Sequence, residues 1–132
     1  MGGGDRTRME PNTELQPASP RARILIVEDE VLTRMALAED LRDAGYSVVE
    51  ASNADEALVY LNTGSQIDLV FSDIRMPGSM DGLELARRLR VERPALPVIL
   101  ASGGTERIAT FVAKPYRMEQ VLSVISKTLR PE

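Results

Sequence analysis

Five short apolar runs, separated by stretches with helical spacing, are the feature that most constrains the fold of this chain. The runs are ILIV at 24–27, YSVVEA at 46–51, DLVFS at 68–72, PVILA at 97–101 and TFVA at 110–113. Continuous runs of β-branched and apolar residues are typical of strands that are covered on both faces. Because such strands alternate with helices here, the sequence predicts a parallel, doubly wound α/β sheet.

Four helices are predicted from apolar residues that recur every three or four positions. The predicted core faces are Val31, Met35, Ala38 and Leu41 in the first helix; Ala54, Ala57, Leu58 and Leu61 in the second; Gly82, Leu85, Ala86 and Leu89 in the third; and Met118, Val121, Leu122, Ile125 and Leu129 in the last. Gly45, Gly64 and Pro94 are expected to end the first three helices, and Asp81 is expected to cap the third.

The ends of the chain and its composition bound the domain organisation. Residues 1–21 contain too few apolar side chains to form a core, so we expect a disordered tail followed by one domain at 22–130. The net charge of -4 gives no basic face for direct nucleic-acid binding. No run approaches the ~20 apolar residues of a membrane span, so the sequence predicts a cytoplasmic protein without a membrane partner.

Two residue types are missing, and their absence excludes several chemistries. The chain has no cysteine and no histidine. A thiol nucleophile, a disulfide, a zinc-thiolate site and a Ser-His dyad are therefore excluded. The chain also cannot carry a phosphohistidine of its own.

Polar side chains follow four of the five predicted strands, at the point where each strand ends. Glu28 and Asp29 follow the first strand, Asp73 the third, Ser102 the fourth and Lys114 the fifth. In open α/β sheets the ligand crevice lies outside the carboxyl ends of the strands. Each of these residues taken singly has a structural explanation, but together they predict one site at this edge.

The chemistry of that residue set points to phosphoryl transfer. Three carboxylates held close together repel one another, and Mg²⁺, which prefers oxygen ligands, relieves that repulsion. An aspartate beside the metal can attack phosphorus, while a lysine neutralises the charge on the phosphoryl oxygens. A serine hydroxyl can then donate to a phosphoryl oxygen, and so sense the modification.

The segments ILIVEDE, DLVFSDIRMPGSMDGLEL, ILAS and AKPY resemble the receiver domains of two-component response regulators. The resemblance covers Arg23 to Leu129 and implies a flavodoxin-like sheet of order 2-1-3-4-5. It also implies that Asp73 is the phosphoacceptor, and that Glu28 and Asp29 hold Mg²⁺ directly or through water.

The same resemblance assigns further roles. Arg75 would supply a backbone carbonyl to the metal, Ser102 would be the switch hydroxyl and Phe111 the switch aromatic. Lys114 matches the family's lysine, and the peptide bond between Lys114 and Pro115 is expected to be cis. The donor would be a phosphohistidine of a sensor histidine kinase, and the output would be altered binding of a downstream protein. Such a protein is a phospho-accepting switch that assists its own phosphorylation and dephosphorylation, and not an enzyme.

Two features depart from the common receiver pattern. The loop MPGSMDG is one residue longer than usual, and Gly78 and Ser79 are expected to absorb the insertion. Only seven residues, 103–109, separate Ser102 from the fifth strand, whereas a helical crossover takes about ten or more. The helix between strands four and five is therefore expected to be missing or reduced to a loop, as in the similar PFxFATGY-type receivers, which are associated with HWE-type histidine kinases. We expect phosphorylation to order this segment.

Several alternatives stay open at this stage. The residues SGGT could form a hairpin turn, which would pair strands four and five antiparallel and move Lys114 away from Asp73. An aspartate-nucleophile phosphatase would need a second acid at the position of Arg75. A receiver-like module that binds a partner without phosphorylation would lack an acid or the lysine.

The chain stops soon after the last helix, which suggests a single-domain regulator. A receiver cut from a hybrid kinase would have the same sequence pattern.

Overall fold

Alternating strands and helices form a five-stranded sheet with helices on both faces. The computed structural model describes residues 22–102 and 110–129. Its elements are β1 (Arg23–Val27), α1 (Val31–Asp43), β2 (Ser47–Ala51), α2 (Ala54–Leu61), β3 (Leu69–Asp73), α3 (Gly82–Glu92), β4 (Val98–Ser102), β5 (Thr110–Ala113) and α4 (Met118–Leu129). The predicted tail at 1–21 and the predicted loop at 103–109 lie outside the described residues, so those two expectations stay predictions.

The sheet has the order β2-β1-β3-β4-β5, and every neighbouring pair is parallel. This confirms the doubly wound, flavodoxin-like arrangement. Ile99 of β4 lies beside Thr110 of β5, and Ser102 lies beside Ala113. The antiparallel hairpin is thereby excluded, and the carboxyl ends of all five strands lie at one edge.

The two faces of the sheet bury separate apolar layers, because successive strand residues point to opposite sides. Ile24 and Ile26 of β1 pack in the layer that contains α1 and α4. Leu25 and Val27 pack in the layer that contains α2 and α3. The central strands are therefore continuously apolar, as the sequence predicts. No helix among residues 22–102 and 110–129 combines the length and the hydrophobicity needed to cross a bilayer.

The predicted core face of α1 is wrong at its first two positions. Val31 is 53% exposed and Met35 is 55% exposed. The face that turns inward is Arg34, Leu37, Ala38 and Leu41, which has the helical spacing i, i+3, i+4 and i+7. Periodicity of apolar residues alone missed this face, because its first position is an arginine.

The other helices and the helix ends follow the sequence-based expectations. All predicted core residues of α2 and α3 are buried. In α4 Val121 and Ile125 are buried, and the remaining predicted residues pack against them. Gly45 has a φ of 103° and its N–H bonds to the carbonyl of Arg42, which ends α1 in a left-handed cap. The Asp81 carboxylate accepts from the N–H of Glu84 at 2.9 Å, which confirms the predicted cap of α3.

Candidate functional site

The candidate site lies where β1, β3 and β5 end at the carboxyl edge of the sheet. Glu28 directly follows β1, and its N–H continues the ladder by donating to the carbonyl of Ala51 at 3.0 Å. Asp73 is the last residue of β3, and Lys114 is the first residue after β5. The parallel register therefore brings together side chains that lie far apart in the sequence.

The acidic residues at this edge form one cluster. Glu28, Asp29 and Asp73 each offer a carboxylate oxygen, and these oxygens lie within 4.8 Å of one another. The Nζ atom of Lys114 donates to Oδ1 of Asp73 at 2.9 Å. Among the described residues, the cluster thus combines three carboxyl groups with one ammonium, so full ionisation would leave an excess of two negative charges.

Within this cluster, Glu28 is the carboxyl group whose pKa is raised, and it is only 6% exposed. Burial raises the pKa of the Glu28 carboxyl above its ordinary value, and the charges of Asp73 and Asp29 add to that rise. The N–H of Glu30, which donates to Oε2 of Glu28 at 3.0 Å, opposes the rise, as does the Lys114 ammonium. The pKa of Glu28 is nevertheless raised, so the site favours additional positive charge.

These donors fit a magnesium ion. Mg²⁺ is typically held by one or two carboxylates together with waters and phosphate oxygens. Glu28 and Asp73 are buried, and Asp29 is exposed. A small cation bound there would offset the burial and the carboxylate charges that raise the pKa of Glu28.

Two further residues shape the site, and sequence reasoning assigned neither role. Tyr116 is half-buried and stands edge-on to Phe71, with ring centroids 6.1 Å apart. Burial raises the pKa of the Tyr116 phenol, and the charges of Glu28 and Asp73 raise it further. Gly82 donates its N–H to the carbonyl of Ile74 at 2.8 Å, and any Cβ at position 82 would overlap the carbonyl oxygen of Asp73. The motifs AKPY and MDG contain these residues, but their contacts depend on the fold.

The remaining predicted site residues are placed only by their backbone or by their exposure. Ser102 ends β4 beside Ala113, and Phe111 lies in β5 beside Leu100. The structure describes the backbone of these two residues and not their side chains. Arg75 is exposed in the loop after β3, which leaves its carbonyl as the group that could serve a metal. The peptide bond between Lys114 and Pro115 is cis, as predicted.

The loop after β3 contains Gly78 and Ser79, which the sequence predicts to absorb its extra residue. Gly78 has a φ of 110° and open space around it. The Ser79 hydroxyl donates to the Asp55 carboxylate at 3.0 Å. This hydrogen bond anchors the loop to α2.

The parallel sheet with an acidic cluster at the carboxyl ends of its strands defines a doubly wound class of α/β domain, and comparison with known proteins identifies its family. The family model of the response regulator receiver domain matches residues 24–132. The chain belongs to this family, whose members act in two-component phosphorelay signalling and bind Mg²⁺ through acidic residues.

Relatives include both kinases and regulators. The chain is 33% identical to the sensor kinase CckA of Brucella abortus over 95% of its own length and 14% of that protein. It is 35% identical to the transcriptional regulatory protein PdtaR of Mycobacterium tuberculosis over 87% of its length and 60% of that protein. The chain thus spans less than two thirds of either relative.

A solved structure with Mg²⁺ and BeF shares the fold. The response regulator TrrA of Thermotoga maritima, crystallised in complex with Mg²⁺ and BeF, superposes with a TM-score of 0.72. It is 32% identical, and the match covers 81% of this chain and 97% of that one.

Proposed function

We propose that this receiver accepts a phosphoryl group onto Asp73 from the phosphohistidine of a sensor histidine kinase, in a reaction that depends on Mg²⁺. The observation that carries the proposal is the contact of Lys114 with Asp73 at 2.9 Å inside the acidic cluster. A nucleophile, a cation that neutralises phosphoryl charge and a set of metal ligands are the parts that such a transfer requires.

The residues of this chain have distinct parts in the reaction. A carboxylate oxygen of Asp73 attacks phosphorus, the phosphorus–nitrogen bond breaks, and its electron pair returns to the imidazole of the donor. The Lys114 ammonium binds one oxygen of Asp73 beforehand, and it pairs with a phosphoryl oxygen once the acyl phosphate forms. Mg²⁺, held by Glu28, Asp29, Asp73 and the Arg75 carbonyl, would neutralise charge on the phosphoryl oxygens.

The consequences of phosphorylation complete the proposal. The Ser102 hydroxyl would donate a hydrogen bond to a phosphoryl oxygen, and Phe111 would change its position as the switch aromatic. A surface near β4 and β5 would thereby change its affinity for a downstream protein. In this function the chain is a switch that assists its own phosphorylation and dephosphorylation, and not an enzyme acting on other molecules. An HWE-type kinase as donor, the cytoplasmic location and the domain bounds stay predictions from the sequence.

Two comparisons support the proposal. TrrA, a relative of the same fold, is described in complex with Mg²⁺ and BeF. The match to part of the sensor kinase CckA links this kind of chain to a kinase system. The alternative of an inert module predicts a missing acid or lysine, and both are present. The phosphatase alternative needs a second acid where this chain has the exposed Arg75.

The intact mass of the protein after incubation with phosphoramidate, a small phosphoryl donor, tests the proposal. We expect an increase of about 80 Da, the size of one phosphoryl group, with Mg²⁺ and none with EDTA. Asp73→Asn should show no increase. Asp43→Asn, at an exposed position at the end of α1, is the matched control and should behave as the wild type. An Asp73→Asn protein that is still labelled would contradict the proposal.

A further inference from the structure

Arg34 occupies the one polar position on the inward face of α1. Its guanidinium contacts the backbone of the candidate site from the α1 side. Its Nη1 atom donates to the backbone carbonyl of Glu28 at 2.8 Å. Its Nε atom pairs with Oε1 of Glu50 on β2 at 3.3 Å, and the Arg34 side chain is only 17% exposed. Arg34 therefore connects the turn that carries the acidic pair to the neighbouring edge strand.

The Glu28 peptide is held from three directions. Its N–H donates to the carbonyl of Ala51 at 3.0 Å. Its carbonyl accepts from Arg34, and its side chain accepts from the N–H of Glu30 at 3.0 Å. Because the carbonyl is bound on the α1 side, the peptide plane between Glu28 and Asp29 is fixed, and this plane sets where both carboxylates point.

Arg34 acts on this turn through the carbonyl. The two partners of the Arg34 guanidinium are the carbonyl of Glu28 and the carboxylate of Glu50. Removing Arg34 should therefore loosen the turn.

We propose that Arg34 is a positioning residue that holds Glu28 and Asp29 in the geometry that binds a divalent cation. Arg34 touches neither the cation nor the phosphoryl group in this role. The inference deepens the proposed function and rests on it for the identity of the ligand. Groups that orient metal ligands from outside typically change metal affinity by about 10- to 100-fold when they are lost.

The chain contains a matched control for this residue. Arg42 lies eight residues further along α1, and its Nη2 atom contacts the carbonyl of Val48 at 3.2 Å and Oε2 of Glu50 at 3.4 Å. Arg42 thus makes the same two kinds of contact, and it shares Glu50 with Arg34. Among the described residues it has no contact with Glu28 or Asp29. A comparison of the two arginines separates positioning of the acidic pair from general anchoring of β2.

The test compares Arg34→Met with Arg42→Met in the full chain, with two readouts. Calorimetric titration with MgCl₂ measures cation affinity. We expect about a tenfold loss in Arg34→Met and a change within about twofold in Arg42→Met. Hydrogen exchange without Mg²⁺ measures the turn itself, and we expect faster exchange at the amides of Asp29 and Glu30 in Arg34→Met alone. Arg34→Lys, whose ammonium cannot hold both partners in the same fork geometry, should show an intermediate loss.

The outcomes distinguish this inference from the proposed function. Unchanged Mg²⁺ affinity in Arg34→Met, or an equal loss in both variants, would overturn the positioning role. A wild-type protein that binds no Mg²⁺ would remove the proposed function. In that case exchange at Asp29 and Glu30 decides the positioning role by itself: selective acceleration in Arg34→Met supports it, and equal rates in the two variants overturn it.

Discussion

The Nζ atom of Lys114 lies 2.9 Å from Oδ1 of Asp73, although 41 positions separate the two residues in the sequence. The contact arises because β5 runs parallel to β4, and β4 runs parallel to β3, so that both residues reach the same edge of the sheet. This pair links the fold to the chemistry, since a cation beside the nucleophile can neutralise charge on a phosphoryl group attached there.

Replacement of Lys114 should affect metal binding and phosphorylation in opposite directions. Lys114→Met removes a positive charge next to the acidic cluster, so we expect Mg²⁺ affinity to rise severalfold. Phosphorylation by phosphoramidate should slow by about tenfold or more, because the cation that stabilises the phosphoryl oxygens is lost. Calorimetry and intact-mass time courses measure the two effects. Lys127→Met, exposed on α4, should change neither, and a parallel loss of both properties in Lys114→Met would argue against the proposed role.

Glu28 should destabilise the metal-free fold at neutral pH. Its pKa is raised in the folded protein, so the folded state holds the proton more tightly than the unfolded state. Stability is therefore lost as pH rises through the raised pKa. Glu28→Gln, which is neutral, should raise the melting temperature by a few degrees in EDTA at pH 7. The same variant should lose most of the stabilisation that Mg²⁺ gives the wild type.

The neighbouring Glu30 should stabilise the fold at neutral pH, whereas Glu28 should destabilise it. The backbone N–H of Thr33 and then the Thr33 hydroxyl hold the pKa of Glu30 below its ordinary value. A depressed pKa contributes stability above the unfolded value of about 4.5, and that stability is lost as pH falls through the folded pKa. Glu30→Gln should therefore lower the melting temperature at pH 7, with the difference shrinking on acidification. Melting curves from pH 3 to 8 measure both glutamates. Equal effects would contradict this account of the cluster.

Gly82 should be required for the position of Asp73. A Cβ at this residue would overlap the Asp73 carbonyl oxygen, so Gly82→Ala should displace β3 or α3 and cost about 1–3 kcal/mol of unfolding free energy. Gly78→Ala has open space but a φ of 110°, so a cost of about 1–2 kcal/mol is expected. Denaturant unfolding compares their stability. Only Gly82→Ala should also slow labelling of Asp73, and normal labelling of that variant would exclude this role.

The inward face of α1 can be tested by truncation. Leu41 is fully buried and Met35 is 55% exposed. Leu41→Ala should cost about 2–5 kcal/mol, because it leaves a cavity in the core. Met35→Ala should stay within about 0.5 kcal/mol, since few contacts are lost. Denaturant unfolding of the two variants measures the difference, and a large loss in Met35→Ala would mean that the face predicted from apolar spacing is the correct one.

The strands, the parallel sheet and its acidic edge could be predicted from local sequence patterns, whereas the sheet order was implied by the resemblance to receiver domains. Apolar runs locate the strands, and parallel topology places Asp73 and Lys114 at one edge. The helix ends at Gly45 and Asp81 follow from capping chemistry that acts within a few residues.

Contacts that depend on tertiary packing could not be predicted in this way. Arg34 was missed because a charged residue interrupts the apolar pattern of α1, and because its partner is a backbone carbonyl that leaves no trace in the sequence. The close approach of Gly82 to Asp73 was missed for a similar reason. The edge-on packing of Tyr116 against Phe71 joins the connection between β5 and α4 to β3, and no local pattern encodes it.

The proposed function depends above all on the identity of the phosphorylated residue. Borohydride reduction of the phosphorylated protein, followed by peptide mass spectrometry, reports that residue, because an aspartyl phosphate is converted to homoserine. We expect homoserine at position 73 alone, only after incubation with a phosphoryl donor and Mg²⁺. Homoserine at another aspartate, or at none, would contradict it.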